Sequence, residues 1–121
     1  MSYHTSTRFG RLLRVRRLSA DVTLSEVASK VGCSVSFVSD VENGRRNPFT
    51  KNQIKRITEL VGMELREGLI AAAEDVGYLK VESSSSTVLA LAADLAIYLD
   101  TASDRRLALL RIALEDLKKK P

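Results

Sequence analysis

Two helix boundaries stand one residue apart in this chain. Gly32 suits the position just past a helix end, Ser34 suits a helix N-cap, and only Cys33 lies between them. Upstream, "TLSE" (Thr23 to Glu26) reads as a capping box, in which the Thr23 hydroxyl accepts from the Glu26 amide and Glu26 reaches back to the Thr23 amide. The helix between Thr23 and Gly32, with Val27, Ala28 and Val31 on its inner face, has only about two turns. The helix opened by Ser34 places Val38 and Val41 on one side at i and i+3. Gly44 ends it, and Pro48 forbids an immediate restart.

The rest of the chain is dense in helical signals. Phe9, Leu12 and Leu13 mark an apolar face between Thr7 and about Ala20, with Arg8, Arg11, Arg14, Arg16 and Arg17 around it and a break at Asp21 and Val22. "TKNQ" (Thr50 to Gln53) is a second capping box, opening a fourth helix with Ile54, Ile57, Leu60 and Val61 that Gly62 closes. A fifth helix, Glu64 to Val76, carries Leu65, Leu69, Ala72, Ala73 and Val76 and stops at Gly77. "YLKVESSSS" (Tyr78 to Ser86) changes character. Its first residues alternate weakly enough to allow a short strand, and its serines read as a joint. Two further helices are expected, roughly Thr87 to Leu99 and from the N-cap Ser103 to Lys118–Lys120, turning near Asp100–Ser103. The expectation is an all-α protein: a domain over residues 7–76, a linker over 77–86 and a helical hairpin over 87–119.

Composition narrows the class. No run of 18 apolar residues exists to span a membrane, and "MSYHTSTRFG" has no apolar stretch of the signal-peptide kind. The lone Cys33 excludes an internal disulfide framework and a multi-thiolate zinc site, and His4 is not read as a ligand, so no metal or cofactor is expected and the cytoplasm fits best. Residues 1–62 carry eleven Lys/Arg against five Asp/Glu, whereas residues 63–121 carry eight against ten. A basic first half beside a mildly acidic remainder suggests that the first half meets a polyanion.

Two short helices joined by a tight, glycine-containing turn form a helix-turn-helix unit, here pivoting on Gly32-Cys33-Ser34. In "SVSFVSDVENGRRNP" the second helix shows Ser34, Val35, Ser36, Phe37, Ser39 and Asp40 without a single cation, and Arg45 and Arg46 follow just past its end. A major groove only about 12 Å wide favours short side chains on an inserted helix, while phosphates along the rim favour cations at its shoulders. That pattern points to double-stranded DNA.

Residues 11 to 62 also resemble the lambda-repressor-like, XRE-type helix-turn-helix domain, through "LLR" with Arg17 downstream, "TLSEVA", "VGCS", "VSDVENG" and Pro48. The resemblance implies a five-helix fold that binds duplex DNA, usually as a symmetric dimer and most often as a transcriptional repressor. Position by position it implies base contacts at Ser34, Val35, Ser36 and Asp40. Phe37 and Ser39 would sit beside them, against the backbone or thymine methyls. Thr23 and Leu24 would face phosphates, and Asn43, Arg45 and Arg46 would meet phosphates or the adjacent minor groove. Arg17 and Glu42 occupy positions that pair helices one and three. The family commonly has Gln where this chain has Leu24, which leaves backbone amides to serve there. No Arg, Gln or Asn stands at the first turns of the reading helix. Specificity then leans on serine hydroxyls, on Asp40 accepting from a cytosine amine, on methyl contacts and on DNA shape.

Other residues carry plainer expectations. Arg8, Arg11 and Arg14 divide between phosphate contact and solvation. Arg16 replaces a usually apolar position and snorkels, and Cys33 is a buried, inert thiol. Arg45 and Arg46 are read as free for DNA because their loop has no evident acidic neighbour. In the last helix Leu107, Leu110, Leu114 and Leu117 make one seam, and "VLALAADLAIYL" before it is apolar nearly all round. A helix apolar on every side demands neighbours. A homodimer interface is expected, against the alternatives of packing on the fifth helix or, as in an antitoxin, of a protein partner held by the C-terminal helices while the N-terminal domain autoregulates. No nucleophile–base pair, carboxylate dyad or phosphate-cradling loop suggests an enzyme.

Overall fold

A computed structural model describes residues 7–121, so His4 lies outside the described residues. Among the described residues seven helices follow one another: α1 (Arg8–Ser19), α2 (Leu24–Val31), α3 (Val35–Glu42), α4 (Lys51–Val61), α5 (Leu65–Val76), α6 (Ser86–Thr101) and α7 (Asp104–Lys118). Among the described residues there is no strand, and the weak alternation after Gly77 forms none, because no neighbouring strand offers the ladder such a segment needs. The chain divides into two compact units between Leu79 and Lys80.

Local chemistry sets the helix starts. The Thr7, Thr23, Ser34, Thr50, Ser85 and Ser103 side chains each accept a backbone amide in the first turn of the helix that follows. Both capping boxes are complete, with Glu26 and Gln53 accepting from the Thr23 and Thr50 amides at 3.1 and 3.0 Å. The α5 start has no such cap, because its N-cap residue is Glu64. The end of α1 adopts the same left-handed turn that glycine makes elsewhere, but with Asp21 at φ 57. The Val22 and Asp21 amides then donate to the Arg17 and Leu18 carbonyls at 2.9 and 3.1 Å.

In the first unit α1 packs on α3, α4 and α5, α2 on α3 and α4, and α4 on α5. Their shared core includes Phe9, Leu13, Val27, Val38, Val41, Ile54 and Ile57, all almost fully buried. Phe9 meets Phe49 edge-on, with ring centroids 6.3 Å apart. At roughly 1.5–3 kcal/mol per large apolar side chain, this is the main force holding the five helices together. Gly10 lets α1 approach the end of α3: a Cβ there would stand 2.5 Å from the Val41 carbonyl oxygen and 2.8 Å from that of Glu42.

The second unit differs. α6 and α7 bury no residue, and Leu91, Ile97, Leu99, Leu109, Ile112 and Leu117 are all exposed. The expected hairpin is open. Ala102 and Ser103, both extended, join two helices that meet at an elbow and do not pack along their lengths. Leu107 and Leu110, near the elbow, are half-buried, whereas Leu114 and Leu117 are exposed. No helix among the described residues is long and apolar enough to cross a membrane.

Candidate nucleic-acid interface

The helix-turn-helix is built from α2, Gly32-Cys33-Ser34 and α3. Gly32 takes φ 75, a left-handed conformation that costs an L side chain energy, and its amide donates to the Ala28 carbonyl at 2.9 Å. The Cys33 amide bonds the same carbonyl at 3.0 Å, which stops α2 and turns the chain. Ser34 Oγ then accepts from the Phe37 amide at 3.0 Å, opening α3. Cys33 is half-buried and packs against the core, and burial pushes its thiol up.

Three attachments hold α3 from behind. Val38 and Val41 enter the core. Gly10 admits α1 to close range. Arg17 of α1 grips Glu42 in the last turn of α3, with Nε 2.7 Å from Oε2 and Nη2 3.0 Å from Oε1. Arg17 Nη1 also donates to the Val22 carbonyl at 3.1 Å. The side chains are only 11% and 4% exposed. Hydrogen bonding to Glu42 raises the Arg17 pKa above its ordinary value, outweighing the opposite effect of burial. A bidentate pair this shielded works as a clamp, fixing the roll of α3 relative to α1.

What faces outward is narrower than the sequence suggested. Ser34, Val35 and Ser36 are exposed, forming one uncharged first turn. Phe37, Ser39 and Asp40, read as displayed to solvent, are half-buried. Phe37 packs on the core, its ring 5.5 Å from that of Phe49, because position 37 lies one helical turn before the inward Val41 and shares its face. Leu24 likewise turns against the core instead of lying fully open. Thr23 is exposed at the start of α2. The Asn43 amide donates to the Ser39 carbonyl at 2.9 Å, so this side chain closes its own helix end.

The arginines are more engaged than their sequence context implies. The loop after α3 does have an acidic neighbour: Arg45 Nη1 lies 3.6 Å from Asp40 Oδ1, and Arg46 Nε lies 3.5 Å from Asp40 Oδ2. The Arg46 guanidinium also lies 4.6 Å over the Phe37 ring. Arg16 does not merely snorkel: its Nη2 bonds both Glu67 oxygens at 2.9 and 3.0 Å. Arg8 pairs with Glu74 at 3.3 Å, and the Asp75 carboxylate accepts from the Arg8 and Phe9 amides at 2.8 and 3.0 Å. These pairs stitch α1 antiparallel to α5. Arg11 and Arg14 are exposed. A sequence signal for Asp40 existed in Gly44, because a left-handed glycine past a helix end folds the following residue back beside the last turn.

A family model described as "Helix-turn-helix domain" matches residues 8–69, just over half the chain. The ImmF control region 10 kDa protein of Bacillus phage phi105 is 34% identical over 58 residues, which cover 48% of this chain. The chain spans 63% of the length of that relative. Among solved structures, the restriction-modification controller protein C.AhdI from Aeromonas hydrophila aligns at 28% identity over 50% of this chain and 91% of its own, with a TM-score of 0.45. The clp gene regulator ClgR from Corynebacterium glutamicum aligns at 26% identity over 77% and 87%, with a TM-score of 0.48.

Proposed function

This chain belongs to the helix-turn-helix domain family of DNA-binding transcription regulators, and on that premise we propose that it is a homodimeric, sequence-specific repressor that inserts α3 into the major groove. The observation that carries the reading is the first turn of α3. Ser34, Val35 and Ser36 stand exposed and uncharged while everything behind them is clamped. An α-helix with side chains is about 10–12 Å across and the groove about 12 Å wide, so short side chains let α3 seat deeply. Ser34 accepts a backbone amide but keeps its hydroxyl proton to donate outward, Ser36 can donate or accept, and Val35 suits a thymine methyl. At the exposed start of α2 the capping box occupies the Thr23 and Glu26 amides and leaves those of Leu24 and Ser25 to meet a phosphate, while Arg45 and Arg46 reach toward phosphates on the other side of the groove.

The C-terminal helices supply the second copy in this reading. Their open elbow and exposed leucines leave apolar surface that an identical elbow is suited to cover. Leu107, Leu110, Leu114 and Leu117 of α7 lie in this interface. A dimer that sets two α3 helices about 34 Å apart would read successive major grooves on one face of the duplex. The relative's name ties it to a phage control region, which agrees with a regulatory role.

Selection from random duplex DNA followed by sequencing tests this. The expected product is an inverted repeat with half-site centres about 10 base pairs apart. Affinity for it should fall steeply with salt as counterions are released. Arg45→Ala with Arg46→Ala should weaken binding to all sequences alike. An absence of enrichment, or affinity that hardly changes with salt, would overturn the reading.

A further inference from the structure

α3 ends in a turn that folds two cations back onto its own last-turn acid. The Arg45 amide donates to the Asp40 carbonyl at 2.8 Å and the Gly44 amide to that of Val41 at 3.1 Å, with Gly44 at φ 73. This is the paired closure made by a left-handed residue past a helix end, and it holds the backbone of residue 45 beside residue 40. Each oxygen of the Asp40 carboxylate then faces a different arginine. Asp40 is 28% exposed, whereas Arg45 and Arg46 are 52% and 53% exposed. The arrangement is therefore a shielded anion under two cations that water, or a phosphate, can reach.

We propose that Asp40 is an internal counterion that stands in for DNA phosphate in the free protein and thereby sets sequence discrimination. The inference rests on the regulator reading above. Ion pairs this exposed are weak and exchange readily, so a phosphate on the groove rim can take Arg45 and Arg46 from Asp40. The carboxylate is then left beside a polyanion without its partners. On an arbitrary sequence that cost stands. Where a cytosine presents its N4 amine to the carboxylate, a hydrogen bond offsets it. Asp40 thus discriminates chiefly by penalising the wrong DNA, with the same two arginines gripping every sequence. Arg46, resting on the Phe37 ring, is held close to Asp40 in the free protein.

The test compares the wild type, Asp40→Asn and Asp40→Glu in full-length protein. Each is titrated with a random duplex and with the duplex enriched by selection, across a series of salt concentrations, and each is melted to verify folding. Asp40→Asn should bind the random duplex about tenfold tighter, with a salt slope steeper by about one unit. It should gain far less on the selected duplex, so that the ratio of affinities falls. Asp40→Glu, which keeps the charge, should hold the ratio near that of the wild type. A folded Asp40→Asn with unchanged ratio and slope overturns the inference, and so does equal tightening on both duplexes. A wild type that binds no duplex at all instead overturns the regulator reading itself.

Discussion

The unit that ends at Leu79 and the unit that begins at Lys80 use the same local devices and reach opposite ends. In both, every helix except α5 is opened by a serine or threonine cap, and both carry leucine, isoleucine and valine at helical spacing. In the first, five helices pack on one another, and Phe9, Leu13, Val38 and Ile57 lose all contact with water. In the second, two helices meet only at an elbow, and Ile97 remains 70% exposed. A helix secures its own backbone hydrogen bonds, but its apolar face is stabilised only by surface brought from elsewhere. The first unit finds that surface within the chain. The second unit leaves it unmet, which is why its stability is expected to depend on a partner copy.

The largest effect that would break this contrast falls on the first unit. Glu42→Ala leaves Arg17 nearly buried without its carboxylate and should cost about 3–5 kcal/mol. Denaturant unfolding should show this loss at every protein concentration, with dimerisation through α7 unaffected while the unit remains folded. A loss below about 1 kcal/mol would show that the clamp contributes little. Next in size is Leu110→Asp on α7, which places a charge in the expected interface. Self-association should weaken on the order of a hundredfold, about 2.7 kcal/mol, by sedimentation equilibrium, while the first unit melts at its usual temperature. A dimer that persists would move the interface off this seam. The smallest effect sharpens the comparison from the side of the exposed first turn. Ser36→Ala should leave both units as stable as before yet shift preference at one base step by about 1 kcal/mol in competition binding. Equal losses on selected and random DNA would move the reading face elsewhere.

Much of the fold was legible because its signals are short-range. Thr23 with Glu26, Thr50 with Gln53 and Ser34 with the Phe37 amide each act within one helical turn, and the structure shows each of them. The inward faces of α1 to α4 follow from helical spacing alone. The candidate interface was less legible. Its neighbours in sequence point position 37 outward, yet an aromatic ring one turn before Val41 finds Phe49 and turns partly inward. In sequence Asp40 stands apart from Arg45 and Arg46, and only the fold-back at Gly44 brings them together. Arg16 is expected only to snorkel, because its partner Glu67 lies 51 residues away on another helix.

The order of residues by itself determined where helices begin and stop, which faces are apolar, and that an uncharged turn with arginines behind it sits in a helix-turn-helix. All of these depend on interactions among residues close in the chain. Only the tertiary structure decided which charges meet, how closely α1 can approach α3 at Gly10, and that α6 and α7 stand open at an elbow. Those outcomes depend on how helices distant in sequence are set against one another. A few ångströms there separate an ion pair from two solvated charges, and a closed hairpin from an apolar surface in need of cover.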